Sequence, residues 1–95
     1  MNRVVISERA NEDIHEIWLH IAADNVTAAD SLIAEFDAKF LLLADAPEIG
    51  HVRTDLPAGV RCFPVWSYLI AYRLTAGRIS IIRVLHGARQ LRGMI

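Results

Sequence analysis

The sequence predicts an α+β fold in which an N-terminal antiparallel helix hairpin packs on a small, mainly antiparallel sheet of about four strands, in the order β-α-α-β-β-β. Three observations predict it. Apolar residues recur at helical spacing from Ala10 to Leu43 with one interruption, and β-branched and aromatic residues concentrate between Val60 and His86. A loop punctuated by glycine and proline separates the two regions. At 95 residues the chain has room for one core, so residues 1–95 are read as a single domain.

The elements follow in order. Val4 to Ile6 is a short strand-like run, and Ser7 caps a helix whose apolar positions are Ala10, Ile14, Ile17, Trp18, Ile21 and Ala22. The spacing makes Trp18 a core residue. Glu12, Asp13, Glu16 and His20 fall on the opposite face, where acids are expected to meet solvent. Asp24-Asn25-Val26-Thr27 interrupts the pattern, and Thr27 with Asp30 reads as the capping arrangement that restarts a helix. Ala29, Leu32, Ile33, Phe36, Phe40 and Leu43 then form a second stripe that ends before Pro47. So short a link between two helices implies a hairpin.

After Pro47 the chain reads as loop. Val60 to Trp66, Tyr68 to Leu74 and Arg78 to His86 read as strands joined by turns near Ser67 and at Thr75-Ala76-Gly77. Pro64 cannot donate to a ladder, which places its strand at an edge or at a bulge. The last strand is apolar on both alternating faces, Ile79/Ile81/Leu85 and Ile82/Val84, and is expected to lie centrally, between Tyr68–Leu74 and Val4–Ile6.

Composition excludes several function classes. Cys62 is the only cysteine, so no intrachain disulfide or cysteine-based metal site is expected; the thiol reads as a small apolar side chain in a strand. His15, His20 and His51 are scattered without ligand spacing, and neither metal nor cofactor is implied. The start of the chain lacks the apolar core of a leader, and the longest aliphatic run, Phe40 to Ala44, is far short of the roughly 20 residues that span a bilayer. A soluble, cytoplasmic protein is expected. The apolar fraction of 54% calls for a well-filled core, a surface covered by another chain, or both.

Charge is divided along the chain. Residues 1–50 hold three cations and ten acids, whereas residues 51–95 hold seven arginines and a single acid, Asp55. Arginine suits planar, bidentate contact with carboxylate or phosphate, so the second half is a candidate surface for an acidic partner or nucleic acid. The alternative is that the halves neutralise each other within the fold. The closing run Ile79 to Arg89 sharpens the question, because Arg83, His86 and Arg89 cluster where the last strand ends and the chain breaks at Gly87. Arg83, inside an otherwise apolar strand, either pairs with a carboxylate of this chain or reaches a partner. Arg61 either braces the sheet or binds an acidic segment, and Trp66, beside Pro64, reads as an interface residue.

The strand, the acidic helix hairpin, Pro47-Glu48-Ile49-Gly50, Arg61, Tyr68-Leu69-Ile70-Ala71-Tyr72 and Arg83-Val84-Leu85-His86-Gly87-Ala88-Arg89, in that order, resemble the ParE branch of the RelE/ParE toxin superfamily over essentially the whole chain. The resemblance implies the toxin of a type II toxin–antitoxin system that inhibits DNA gyrase and is neutralised in a hetero-oligomer by a ParD-like antitoxin. Target contacts are expected at Arg83, His86, Arg89 and Arg92, where charge combines with freedom to reach outward, and antitoxin contacts at Arg61, Trp66 and Arg73. The RelE-like alternative, a ribosome-dependent mRNA endoribonuclease, would use Arg61, Arg83 and His86 to hold phosphate and move protons. A non-toxic, antitoxin-binding member is the third reading. Lys39 is the sole lysine and sits on the second helix, and the tail Leu91-Arg92-Gly93-Met94-Ile95 lacks a tyrosine; both absences depart from the nuclease pattern.

Overall fold

The computed structural model describes residues 2–87 and 91–95. The chain forms strand β1 (Arg3–Ile6), helices α1 (Glu8–Ala22) and α2 (Val26–Asp45), a 3₁₀ turn (Pro47–Ile49), and strands β2 (His51–Val52), β3 (Arg61–Val65), β4 (Tyr68–Thr75) and β5 (Arg78–His86). The sheet is mixed, with strand order β1-β5-β4-β3-β2. β5 is central as expected: it pairs parallel with β1 on one side and antiparallel with β4 on the other. The fifth strand, β2, was read as loop. Two residues are too few to show a period, and only their pairing with Arg61 and Cys62 makes them a strand.

The helix hairpin covers one face of the sheet. Ser7 caps α1 by accepting from the Ala10 amide at 3.0 Å, and Ala10, Ile17, Leu32, Phe36, Phe40 and Leu43 meet Val65, Ile70, Tyr72, Ile79, Ile81 and Val84 in the main core. Asn25, not Thr27, caps α2, since its side chain accepts from the Ala28 amide and Thr27 lies inside the helix. Trp18 is half-buried at the rim, where its indole donates to Asp30 at 2.9 Å and ties the two helices together. The spacing that suggested core was right for the helix face and wrong for the depth, because the indole N–H needs a polar partner.

The second face of the sheet has a smaller cluster of its own. Leu56, Val60, Cys62, Ala71 and Leu85 are buried beneath the loop after β2 and the tail residue Leu91. The faces of β5 differ from the expected alternation. Pairing steps from Tyr72–Ile81 to Ala71–Arg83, leaving Ile82 as an extra residue. Such a bulge reverses the alternation beyond it. Ile79 and Ile81 are therefore continued on the helix side by Val84, while Leu85 joins Ile82 on the other side.

Pro64 sits where a missing donor costs nothing. The two-residue turn that closes Val65 on Tyr68 directs the odd-numbered amides of β3 toward β4, so the Pro64 nitrogen faces the outer edge, beyond the end of β2.

β1 leaves the sheet after Ile6, and side chains from α1 take its place on β5. The Ser7 amide donates to Ile81 O, the Ser7 hydroxyl donates to Ile82 O at 2.9 Å, and Asp13 Oδ2 accepts from the Val84 amide at 3.1 Å. Asp13 is thus 7% exposed, not on a solvent face. Its carboxylate also receives Arg83 Nε at 2.8 Å and Nη2 at 2.9 Å, and Arg83 Nη1 donates to the Met94 carbonyl at 2.9 Å. One guanidinium joins helix, central strand and tail. The bidentate bond to Asp13 raises the Arg83 pKa, so the guanidinium stays charged.

On the far side of the sheet, the Tyr72 hydroxyl donates to Pro47 O at 2.6 Å and accepts from the Gly50 amide at 2.9 Å. A Cβ at Gly50 would lie 2.4 Å from that hydroxyl, which is why glycine stands there despite an ordinary φ of −71°.

Two measurements test these locks. In chemical denaturation, Asp13→Ala is expected to cost about 3–5 kcal/mol by leaving Arg83 buried and unpaired, and Asp13→Asn clearly less, since an amide oxygen can still accept from Val84. Burial raises the Tyr72 pKa above its ordinary 10.0, so the folded chain keeps a proton that the unfolded chain releases. Stability is then intact below pH 10.0 and falls as pH rises through the folded-state value. Tyr72→Phe is expected to be about 1–3 kcal/mol less stable at neutral pH, from two unmet backbone groups, and to lose less than the parent on going to strongly alkaline pH.

Candidate functional site: the sheet end and the arginine-bearing face

The hairpin between β3 and β4 turns through Trp66 and Ser67, and Trp66 holds a left-handed φ of 52° with 59% of its surface exposed. A bulky side chain adopts that region at a cost, and here the cost presents an indole to solvent. The Gly87 amide donates to Ser67 O at 2.7 Å, so the exit of β5 is tied to this turn. Cross-strand pairing sets Tyr68 opposite His86, their rings edge to face at 5.4 Å. Trp66 and His86, read from the sequence as belonging to different contact sets, share one end of the sheet. His86 is exposed there, with Arg83 three residues back and buried. Arg89 lies outside the described residues.

The other arginines are spread over the rest of the sheet. Arg61 Nη1 donates to Glu48 O at 3.1 Å and to Gly50 O at 2.9 Å, bracing the 3₁₀ turn and β2. Arg73, on β4, donates to Ala58 O at 3.2 Å and holds the loop over the second face. Arg53 grips Asp55 bidentately at 2.8 and 3.0 Å; each partner's hydrogen bond to the other raises the arginine pKa and lowers that of the carboxylate. Arg92 is exposed on the tail, close enough to Asp55 to lower that carboxylate's pKa further.

Arg61 and Arg83 are thus engaged inside the chain and separated by the width of β4, while His86 stands at the sheet end. The intrachain pairing allowed for Arg83 is the one observed, and Arg61 braces the sheet. Among the described residues, the Arg83–Asp13 bridge is the one ion pair that joins the acidic first half of the chain to the arginine-rich second half. Acids predominate on the helices, and arginines on the strands, loops and tail. Cys62 is buried and its thiol pKa is raised by desolvation, which suits packing and not nucleophilic chemistry. No group of three histidine, cysteine, aspartate or glutamate side chains among the described residues could hold a metal ion. No helix among them is long and apolar enough to cross a membrane.

A cleft beside the sheet end was not anticipated. It is lined by Asp13, Glu16, Ile17 and His20 of α1 and by Tyr68, Val84, Leu85 and His86 of the strands. The four helix residues stand at i, i+3, i+4 and i+7, a spacing visible in the sequence. What hid the cleft was the assignment of that stripe to solvent.

Comparison with known proteins agrees with this architecture. Residues 4–91 match the family described as ParE toxin of type II toxin-antitoxin system, parDE. Toxin ParE1 of Caulobacter vibrioides is 32% identical over 88 residues, covering 92% of this chain and 91% of that protein. Toxin ParE3 of the same organism is 28% identical over 92 residues, covering 96% of this chain and 92% of that protein. Among solved structures, a chain of the chromosomal ParDE system from P. aeruginosa superposes with a TM-score of 0.75 at 19% identity, and one of the toxin-antitoxin complex RelBE2 from Mycobacterium tuberculosis with 0.64 at 25%. Each comparison covers 90% of this chain and 96% of the other. With the family matched across nearly its whole length and the same helix hairpin laid on the same kind of sheet, the chain belongs to the ParE toxin family of type II toxin–antitoxin systems.

Proposed function

We propose that this toxin acts in the cytoplasm by docking on DNA gyrase and blocking replication, and that a ParD-like antitoxin silences it within a hetero-oligomer. The observation that carries the choice of target is the engagement of Arg61 and Arg83. A nuclease that cuts RNA by attack of a 2′-hydroxyl needs free cations around the phosphate and a group to take the proton. Of the set Arg61, Arg83 and His86, Arg83 has all three nitrogens bonded to Asp13 and the Met94 carbonyl, and Arg61 is held by its Nη1 to two carbonyls on the other side of β4. What is left outward for the target is His86 at the sheet end and Arg92 on the tail.

In this reading His86, Arg89 and Arg92 meet the target, and Arg83 serves it from within by holding the tail through Met94. The antitoxin segment lies along the β3 edge of the sheet, from which acidic residues reach Arg61 on the helix-side face and Arg73 on the other, with an apolar residue against the exposed Trp66. An amphipathic segment that folds on binding matches a surface on which Trp66, Leu74 and Val52 are each about half exposed or more.

Induced expression with and without the neighbouring antitoxin gene tests the toxin reading, and unimpaired growth at confirmed expression would remove it. A supercoiling assay with purified gyrase, run beside primer extension on translated mRNA, tests the target: inhibited supercoiling without codon-spaced cuts is expected, and cuts with unaffected gyrase would reverse the assignment. Arg92→Ala is expected to weaken gyrase inhibition at least about tenfold while leaving the fold intact, as for an arginine at an interface centre. Trp66→Ala is expected to weaken antitoxin binding by about 2 kcal/mol or more, read by calorimetry, with toxicity retained.

A further inference from the structure

The cleft at the sheet end encloses about 410 Å³, within the range of about 300–1,000 Å³ over which proteins take small ligands or single long side chains. Its floor is apolar, with Ile17 and Val84 each no more than 9% exposed. Tyr68 and His86 form one wall, and the α1 stripe forms the other. The charges in it are unequal. Among the described residues, two carboxylates and no arginine or lysine line the space, and Asp13 is already saturated by Arg83 and the Val84 amide. Glu16, exposed on the same stripe, accepts no hydrogen bond or ion pair among the described residues.

An apolar floor, an aromatic wall and one available carboxylate at the rim suit a side chain with a hydrocarbon stem and a cationic head. The stem lies on Ile17 and Val84, the head reaches Glu16, and the Tyr68 ring offers its face to the cation. We propose that the cleft receives a single arginine or lysine side chain of a protein partner. Its sign is opposite to that of the sheet, where Arg73 and Arg92 call for acids. A partner crossing from the sheet to the cleft must therefore carry acidic residues followed by a basic one, which sets its direction and register. This inference does not depend on which target the toxin engages.

Titration of the isotopically labelled full chain with acetyl-arginine methylamide, followed by NMR, tests it, with the uncharged isostere acetyl-citrulline methylamide as control. Shifts are expected in the amides of residues 13–20, 68 and 84–86 with the arginine compound and not with citrulline. Binding is expected to weaken about three- to fivefold in Glu16→Gln, the range for a partly exposed ion pair. Glu12→Gln, which removes a charge from the same helix outside the cleft, should leave it unchanged. Equal responses to the two compounds, an unaltered Glu16→Gln variant, an equal loss in Glu12→Gln, shifts confined to other residues, or no shift up to the solubility of the arginine compound would each overturn the proposal.

Discussion

Where β1 leaves the sheet after Ile6, the outer edge of the central strand presents the Ile82 carbonyl and the Val84 amide to a helix instead of a strand. Buried backbone groups must find partners, and here a hydroxyl and a carboxylate supply them. Asp13 is the more demanding of the two, because a carboxylate buried beside a sheet needs a cation. Arg83 satisfies it and, with its remaining nitrogen, takes hold of the tail. The pitch of α1 against the sheet, the placing of Leu91 over the second face and the wall of the cleft all depend on this one pair. The extra residue at Ile82 belongs to the same arrangement, since without it Arg83 would continue the Ile79/Ile81 side and enter the main core.

The uneven distribution of charge along the sequence becomes, in three dimensions, a molecule with acids mainly on its helices and arginines on its strands, loops and tail. Two of the arginines on the sheet, Arg61 and Arg73, are met by carbonyls and not by carboxylates. A carbonyl fixes the side chain without cancelling its charge. The sheet thus remains basic while its arginines are held rigid, and a rigid cation loses less entropy on meeting an acidic partner than a free one. Neutralisation within the chain is confined to the places where burial demands it.

Much of the architecture was legible because periodicity is a strong signal over long elements. The two helices, the three C-terminal strands and the central position of β5 follow from apolar spacing alone, and so does the outward nitrogen of Pro64. What the sequence hid lies at the scale of one or two residues. β2 is too short to have a pattern, the bulge at Ile82 reverses the faces of β5 without any residue that advertises it, and Asn25 and Thr27 are both good caps. Asp13 was the costliest misplacement. On a helical wheel it sits with Glu12 and Glu16, and only the departure of β1 from the sheet edge explains why this acid turns inward. The site residues were identified by type and scattered by the fold: Trp66 and His86 are close, whereas Arg61, Arg73 and Arg92 are held apart by separate loops.

The parallel pairing of the first and last strands has a consequence for how the protein comes into being. Ser7 and Ile82, which share a hydrogen bond, are 75 residues apart in the chain. The central strand follows every other strand in the sequence, so the helix hairpin and β1 lack the strand that joins them to the sheet until β5 has emerged. A ribosome therefore cannot display a working half of this molecule. The sheet end that carries Trp66 and His86 comes into existence in one cooperative step, only once β5 is in place, by which time an antitoxin already in solution can be at hand.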